Sequence, residues 1–148
     1  MNSSAKKVLV VVEKDTFTAS IRTHTHSFTI DEPIEVGGNN LGPDPYEVLL
    51  GALGACTAIT LRMYAANKGW PLTRISVSLA HQKIYNQDCQ NCEQNSARLD
   101  NIEKVLYLEG NLSEMQLERL KIIADKCPVH KTLVAGMSIT SSLAVPPV

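Results

Sequence analysis

The segment PDPYEVLLGALGACTAITLRMYAANKGWP, residues 43–71, constrains this chain more than any other. Its ends are punctuated as a helix. Asp44 suits the N-cap, Pro45 suits the first helical position, and Glu47 stands three residues after the cap, the capping-box spacing. At the far end Lys68 falls in the last turn, Gly69 can take the left-handed conformation that closes a helix, and Pro71 blocks continuation. Between these marks Leu49, Ala52, Leu53, Cys56, Ile59 and Met63 form a stripe expected to face the core. Val48, Leu50, Leu61 and several alanines make the other faces apolar too, so the helix is expected at the centre of the fold. Gly51, Ala55 and Ala58 make a flat strip where a second backbone could approach, as across a dimer axis.

The flanking segments read as short strands and a second helix. KKVLVVVEKD (6–15), FTASIR (17–22) and SFTID (27–31) suggest a small meander, and the turn-rich IEVGGNNLGPDP leads into the helix. RISVSLAHQKIY (74–85) alternates, with Ile75, Val77, Leu79 and His81 on one side, and IEKVLYLEG (102–110) is another strand. Ser113 with Gln116 marks a second capping box, followed by a stripe of Leu117, Leu120, Ala124 and Cys127. TLVAGMSITSSLAV (132–145) is expected to close the chain as a turn and a strand. Strands and helices come in unequal runs, which favours an α+β fold over a wound parallel sheet. With 148 residues, 44% of them hydrophobic, a single domain over 1–148 is expected.

The formal charge is −1, from 14 basic and 15 acidic residues, which gives no field to attract nucleic acid or an anionic membrane. The longest mostly apolar stretch, 48–61, is shorter than a bilayer span, and VLVVV is shorter than a signal-peptide core. A cytoplasmic location is expected, with neither membrane nor nucleic acid as partner. There, four cysteines read as redox thiols or metal ligands rather than a disulfide framework.

Cys56 and Cys127 lie on the inward stripes of two helices, so they could share one chamber. Free cysteine is also a common buried filler, and either residue alone carries little. Together with its surroundings the pair carries more. PDPYEVLLGALGACTAITL followed far downstream by CPVHKTL resembles the OsmC/Ohr family of thiol-dependent peroxidases, and within it the OsmC-like branch. The likeness runs over nearly the whole chain. It implies an intertwined homodimer in which antiparallel sheets wrap long central helices and both subunits build each site. It also implies that Cys56 is the thiolate that attacks an organic hydroperoxide and that Cys127 resolves the product. A sulfenic acid on the first sulfur would condense with the second thiol before over-oxidation, and an external dithiol would restore the pair. No cofactor and no metal are implied.

The attacking sulfur must be ionised. Lowering its pKa two units from about 8.5 needs about 2.7 kcal/mol of preferential stabilisation of the anion. The family's peroxidases use an arginine from the meander loop and a glutamate ten residues before the first cysteine. Here that position is Tyr46, and Glu47 is one further on, with its capping role as a sufficient explanation. The only arginine upstream of Cys56 is Arg22, near a strand end, where a solvated residue is the simpler reading. Arg22 and Glu47 are nevertheless the candidates for orienting the peroxide. The departure opens an alternative, a dimer of weak or no activity that binds a small hydrophobic molecule.

Three further features of the sequence bear on this chemistry. His130 and Lys131 could lower the pKa of Cys127, which either ends one helix or caps another at Pro128. Cys89 and Cys92, with His81 or with His24 and His26, could supply part of a zinc site, but no second ligand pair is visible. The expected reading of Cys89-x-x-Cys92 is a solvent-near thiol pair with no dedicated task. GGNN (37–40) lacks the strand–loop–helix frame of a phosphate loop and is expected to be a turn.

Overall fold

A computed structural model describes residues 5–85 and 98–146. The chain forms two compact units, Met1–Ala52 with Ala80–Glu103, and Leu53–Leu79 with Lys104–Val148.

The first unit holds the expected meander. Strands β1 (Leu9–Val12), β2 (Ala19–Arg22) and β3 (Ser27–Ile30) pair antiparallel in that order, and the register sets Val10 opposite Ile21 and Ile21 opposite Phe28. Ile21 is buried, whereas Leu9, Val10 and Val12 are exposed. The loop after β3 is organised by one carboxylate. Asp31 is buried and accepts from the N–H groups of Glu32 (2.8 Å), Leu41 (3.2 Å) and Asn39 (3.3 Å) and from the Thr18 hydroxyl (3.0 Å). Between these contacts Ile34–Val36 forms a single 3-10 turn within the stretch expected to be turn-rich.

Helix α1 (Pro45–Lys68) starts and stops where its punctuation predicts. Glu47 N–H donates to Asp44 Oδ1 and Asp44 N–H to Glu47 Oε2, both at 2.9 Å, a reciprocal capping box. Gly69 takes φ +67°, and the Trp70 N–H returns to the Ala65 carbonyl at 2.9 Å. The phase of the buried face differs from the expected stripe. The buried residues are Leu53, Gly54, Thr57, Leu61 and Ala65, while Ile59 and Met63 are 59% and 63% exposed. A helix apolar on most faces does not reveal which face packs. The deciding contact is at Gly54, where a Cβ would come within 2.7 Å of Leu79 Cδ1. The 24 residues of α1 are also long and apolar enough, by length and composition, to cross a membrane, a correction to the shorter reckoning from 48–61. A core helix meets the same criterion.

Strands β4 (Leu72–Tyr85) and β5 (Arg98–Gly110) form a two-stranded sheet. On β5 the less exposed residues alternate: Ile102, Lys104, Leu106 and Leu108. Helix α2 (Glu114–Ala124) opens on the expected Ser113–Gln116 capping box and buries Leu120, Ile123 and Ala124. Its stripe is shorter than expected. Leu117 is exposed, and Cys127 lies beyond the helix. A third helix, α3 (Pro128–Ala135), takes up the start of the 132–145 segment expected to be a turn and a strand, and residues 136–146 form neither helix nor strand. The second unit's core is Leu61, Ala65, Leu72, Leu120, Ile123 and Ala124, edged by Tyr64, Trp70 and Leu106 among others. Complete burial of Leu61 and Leu120 contributes about 1.5–3 kcal/mol each.

Candidate active site

The second unit brings Cys56 and Cys127 together. Cys56 lies on α1 and is partly buried; Cys127 is fully buried; both are free thiols. Cys127 is the N-cap of α3, with Pro128 at the first helical position. Its Sγ accepts the His130 backbone N–H at 3.3 Å, the bond that an N-cap side chain makes to satisfy an orphan donor. The sulfur therefore faces the positive end of a helix rather than the negative end of α2, which resolves the alternative left open by the sequence. One turn of α1 places Thr57 against it, with Thr57 Oγ1 3.6 Å from Cys127 Sγ.

Behind these groups stands Lys104, whose side chain is only 10% exposed. Its ammonium donates to the Ala124 carbonyl (3.0 Å), to His130 Nδ1 (3.1 Å) and to Thr57 Oγ1 (3.4 Å), and lies 3.5 Å from Asp125 Oδ1. Ammonium nitrogen has no lone pair to offer, so His130 accepts at Nδ1 in this arrangement and carries its proton on Nε2. Thr57 Oγ1 also lies 2.9 Å from the Leu53 carbonyl. Its single proton can serve that carbonyl or the sulfur, while Lys104 is donor to the same oxygen. Burial opposes ionisation of Cys127, but the His130 N–H, the Thr57 hydroxyl, the Cys56 thiol and the Lys104 charge together hold its pKa below the usual cysteine value.

Lys104 and Thr57 are the residues that the sequence reading missed. A signal for Lys104 existed, since it shares the inward parity of Leu106 and Leu108 on β5. Thr57 carried no signal in a helix whose faces are nearly all apolar.

The other candidates lie in the first unit. Arg22 ends β2, is exposed, and lines a cavity of about 920 Å³ with Lys6, Lys7 and His24. Glu47 is exposed and holds the capping box. Tyr46 stacks on His81 with ring centroids 4.5 Å apart, and His81 Nε2 meets Asp100 Oδ1 at 2.8 Å. His81 thus has a carboxylate partner. Cys89 and Cys92 lie outside the described residues. Among the described residues no group of three or more His, Cys, Asp or Glu side chains could hold a metal ion.

Comparison with known proteins gives this arrangement a context. The family model described as OsmC-like protein matches residues 37–142. No curated protein matches the sequence. Among solved structures, the chain is similar to an OsmC-like protein from Mycoplasma pneumoniae, at 18% identity and TM-score 0.69 over 89% of each chain. It is similar to an organic hydroperoxide resistance protein OsmC from Legionella pneumophila, at 15% identity and TM-score 0.63 over 88% of this chain and 90% of that one. The organic hydroperoxide resistance protein OhrB of Bacillus subtilis matches at 17% identity and TM-score 0.58, over 86% and 89%. At these identities the likeness establishes an α+β fold with small antiparallel sheets.

Proposed function

The chain belongs to the OsmC-like protein family, and on that premise we propose that it is a thiol-dependent peroxidase acting on organic hydroperoxides through Cys56 and Cys127. The observation that carries this reading is the meeting of two free cysteines, remote in sequence, in one polar cluster within an otherwise apolar unit. Cys56, the more accessible sulfur, attacks the outer peroxide oxygen. The O–O bond breaks, the alkoxide takes up the thiol proton and leaves as the alcohol, and Cys56 becomes a sulfenic acid. The Cys127 thiolate then attacks that sulfur and displaces hydroxide, which is protonated to water, leaving a Cys56–Cys127 disulfide. Two electrons from an external dithiol restore both thiols.

Preference for an alkyl peroxide has local support. Ile59 stands one turn from Cys56 on α1 and lines a groove of about 300 Å³ with Ala58, Met63, Ile75 and Arg62. Arg22 and Glu47 are proposed to orient the peroxide. The proposed assembly is a homodimer built around α1. Its support is exposed apolar surface, Ile59 and Met63 on α1 and then Met137, Ile139, Leu143 and Val145 in the C-terminal segment. From Met137 to Thr140 apolar and polar residues alternate like a strand, and Leu143 and Val145 keep the same parity. The proposed location is the cytoplasm, where thiols stay reduced between turnovers. Consumption of an alkyl hydroperoxide in the presence of a small dithiol tests the function, with Cys56→Ser expected to abolish it.

One observation favours the binding reading. A cavity of about 610 Å³ between β5 and α2 is lined by Leu106, Leu108 and Leu117 together with Lys104 and Lys121, a setting suited to a small hydrophobic molecule. If wild-type protein consumes no more peroxide than the Cys56→Ser/Cys127→Ser variant, that reading replaces the peroxidase.

A further inference from the structure

The polar groups of the second unit gather around the sulfur that the family likeness assigns to resolution, not around the one assigned to attack. Cys127 receives the N–H of His130 at 3.3 Å, has the Thr57 hydroxyl at 3.6 Å, and shares that hydroxyl with the ammonium of Lys104. Lys104 is fixed from three other sides, by Ala124 from α2, by Asp125 at its end and by His130 from α3. The carboxylate beside this 10% exposed lysine, Asp125 at 3.5 Å, is itself 65% exposed and screened, which leaves the buried side of the ammonium open to a second negative charge. A thiolate at Cys127 supplies that charge. Cys56 has a different setting: it lies inside α1, where the backbone N–H groups are already bonded, and it is the more accessible of the two sulfurs.

We propose that Lys104 is the positioning counter-ion of a Cys127 thiolate, and that Cys127 is consequently the leaving group when an external thiol reduces the Cys56–Cys127 disulfide. The direction of reduction follows from thiol–disulfide chemistry, in which the sulfur that is better stabilised as an anion leaves faster and the accessible sulfur is attacked. The reductant's thiolate attacks Cys56 Sγ. The S–S bond breaks, its electron pair passes to Cys127 Sγ, and the new anion is received by the His130 N–H, the Thr57 hydroxyl and Lys104. A mixed disulfide between Cys56 and the reductant results. A second reductant thiolate attacks the reductant's sulfur in that bond, which releases Cys56 to take a proton and leaves the reductant as its disulfide. Thr57 acts as a two-position donor in this cycle, turned to the Leu53 carbonyl when Cys127 is neutral or bonded and to the sulfur when it is an anion.

The inference rests on the redox pairing of the two cysteines but not on peroxide as the oxidant, and its test separates the two. In the Cys56→Ser/Cys89→Ser/Cys92→Ser protein, Cys127 is the sole thiol, and its ionisation is followed by ultraviolet thiolate absorbance against pH. The expected result is ionisation below the usual value of about 8.5. Lys104→Met is expected to weaken it by about tenfold in acidity, and Lys104→Arg to retain most of the effect. In the wild-type chain, with the disulfide formed by diamide rather than peroxide, a small monothiol is added, the reaction is stopped with acid, and the adduct is located by peptide mass spectrometry. An adduct on Cys56 is expected. An adduct on Cys127, or a thiol titration at the ordinary value in the sole-thiol protein, overturns the proposal. Should Lys104→Met not fold, Lys104→Arg and adduct mapping in the wild type still decide it. Lack of peroxide turnover with a correct adduct would remove the peroxidase reading and leave this one standing.

Discussion

The Thr57 hydroxyl lies 3.6 Å from the sulfur of Cys127, 70 residues away in sequence, while the same oxygen is 3.4 Å from the ammonium of Lys104. One buried hydroxyl on α1 therefore connects a cation on β5 with a thiol at the start of α3. Thr57→Val keeps the shape and removes the connection. It is expected to raise the pH at which Cys127 ionises and to cost about 1–3 kcal/mol in urea unfolding, because Lys104 loses a buried partner. Unchanged ionisation of Cys127 in this variant would mean that the hydroxyl serves only the Leu53 carbonyl.

The Cys127 thiol also predicts a pH dependence of stability. Its pKa is lowered in the folded protein against the opposing effect of burial, chiefly by the His130 N–H and then by Thr57, Cys56 and Lys104. The folded state thus releases this proton at lower pH than the unfolded chain. The resulting stability is complete above the unfolded value of about 8.5 and is lost as pH falls through the folded value. The stability difference between wild type and Cys127→Ser is expected to grow as pH rises towards about 8.5. A difference that stays flat across that window would show an unperturbed thiol.

Asp31 makes a similar prediction in acid for the first unit. Burial works against its ionisation, and the N–H groups of Glu32 and Leu41, the Thr18 hydroxyl and the Asn39 N–H outweigh it, so its pKa is lowered. The stabilisation it gives is present above the unfolded carboxylate value of about 3.9 and is lost as pH falls through the folded value. Asp31→Ala is expected to unfold at lower temperature at neutral pH and to lose less stability than wild type on acidification, as read by circular dichroism melts.

Gly110 closes β5 with φ +142°, and a Cβ there would lie 2.0 Å from the Pro71 carbonyl oxygen. Gly110→Ala is expected to destabilise by more than about 1 kcal/mol in chemical unfolding. Gly51→Ala, inside α1 with nothing within 4 Å of the added Cβ, gives the opposite sign and is expected to stabilise by about 0.5–1 kcal/mol.

The ends of α1 and α2 were legible because capping is local chemistry. Asp44 with Glu47, and Ser113 with Gln116, bond as their spacing requires. The meander was legible because alternation and turns are local too. The phase of α1 was not, since a helix apolar on most faces leaves the packed face to a tertiary contact, here Gly54 against Leu79. The segment 132–145 read as a turn and a strand, yet Cys127 and Pro128 nucleate a helix that runs into it as far as Ala135. The cysteine pair stood out through its surroundings. Lys104 did not, because a charged residue on a strand reads as solvated unless its parity with Leu106 and Leu108 is taken into account.

The most direct measurement is peptide mass spectrometry of wild-type protein after one equivalent of an alkyl hydroperoxide, with free thiols blocked at once. A single disulfide joining Cys56 to Cys127, together with one equivalent of alcohol, is the predicted result. Peroxide left unconsumed with both thiols alkylated, or oxidation confined to Cys89 and Cys92, would contradict it.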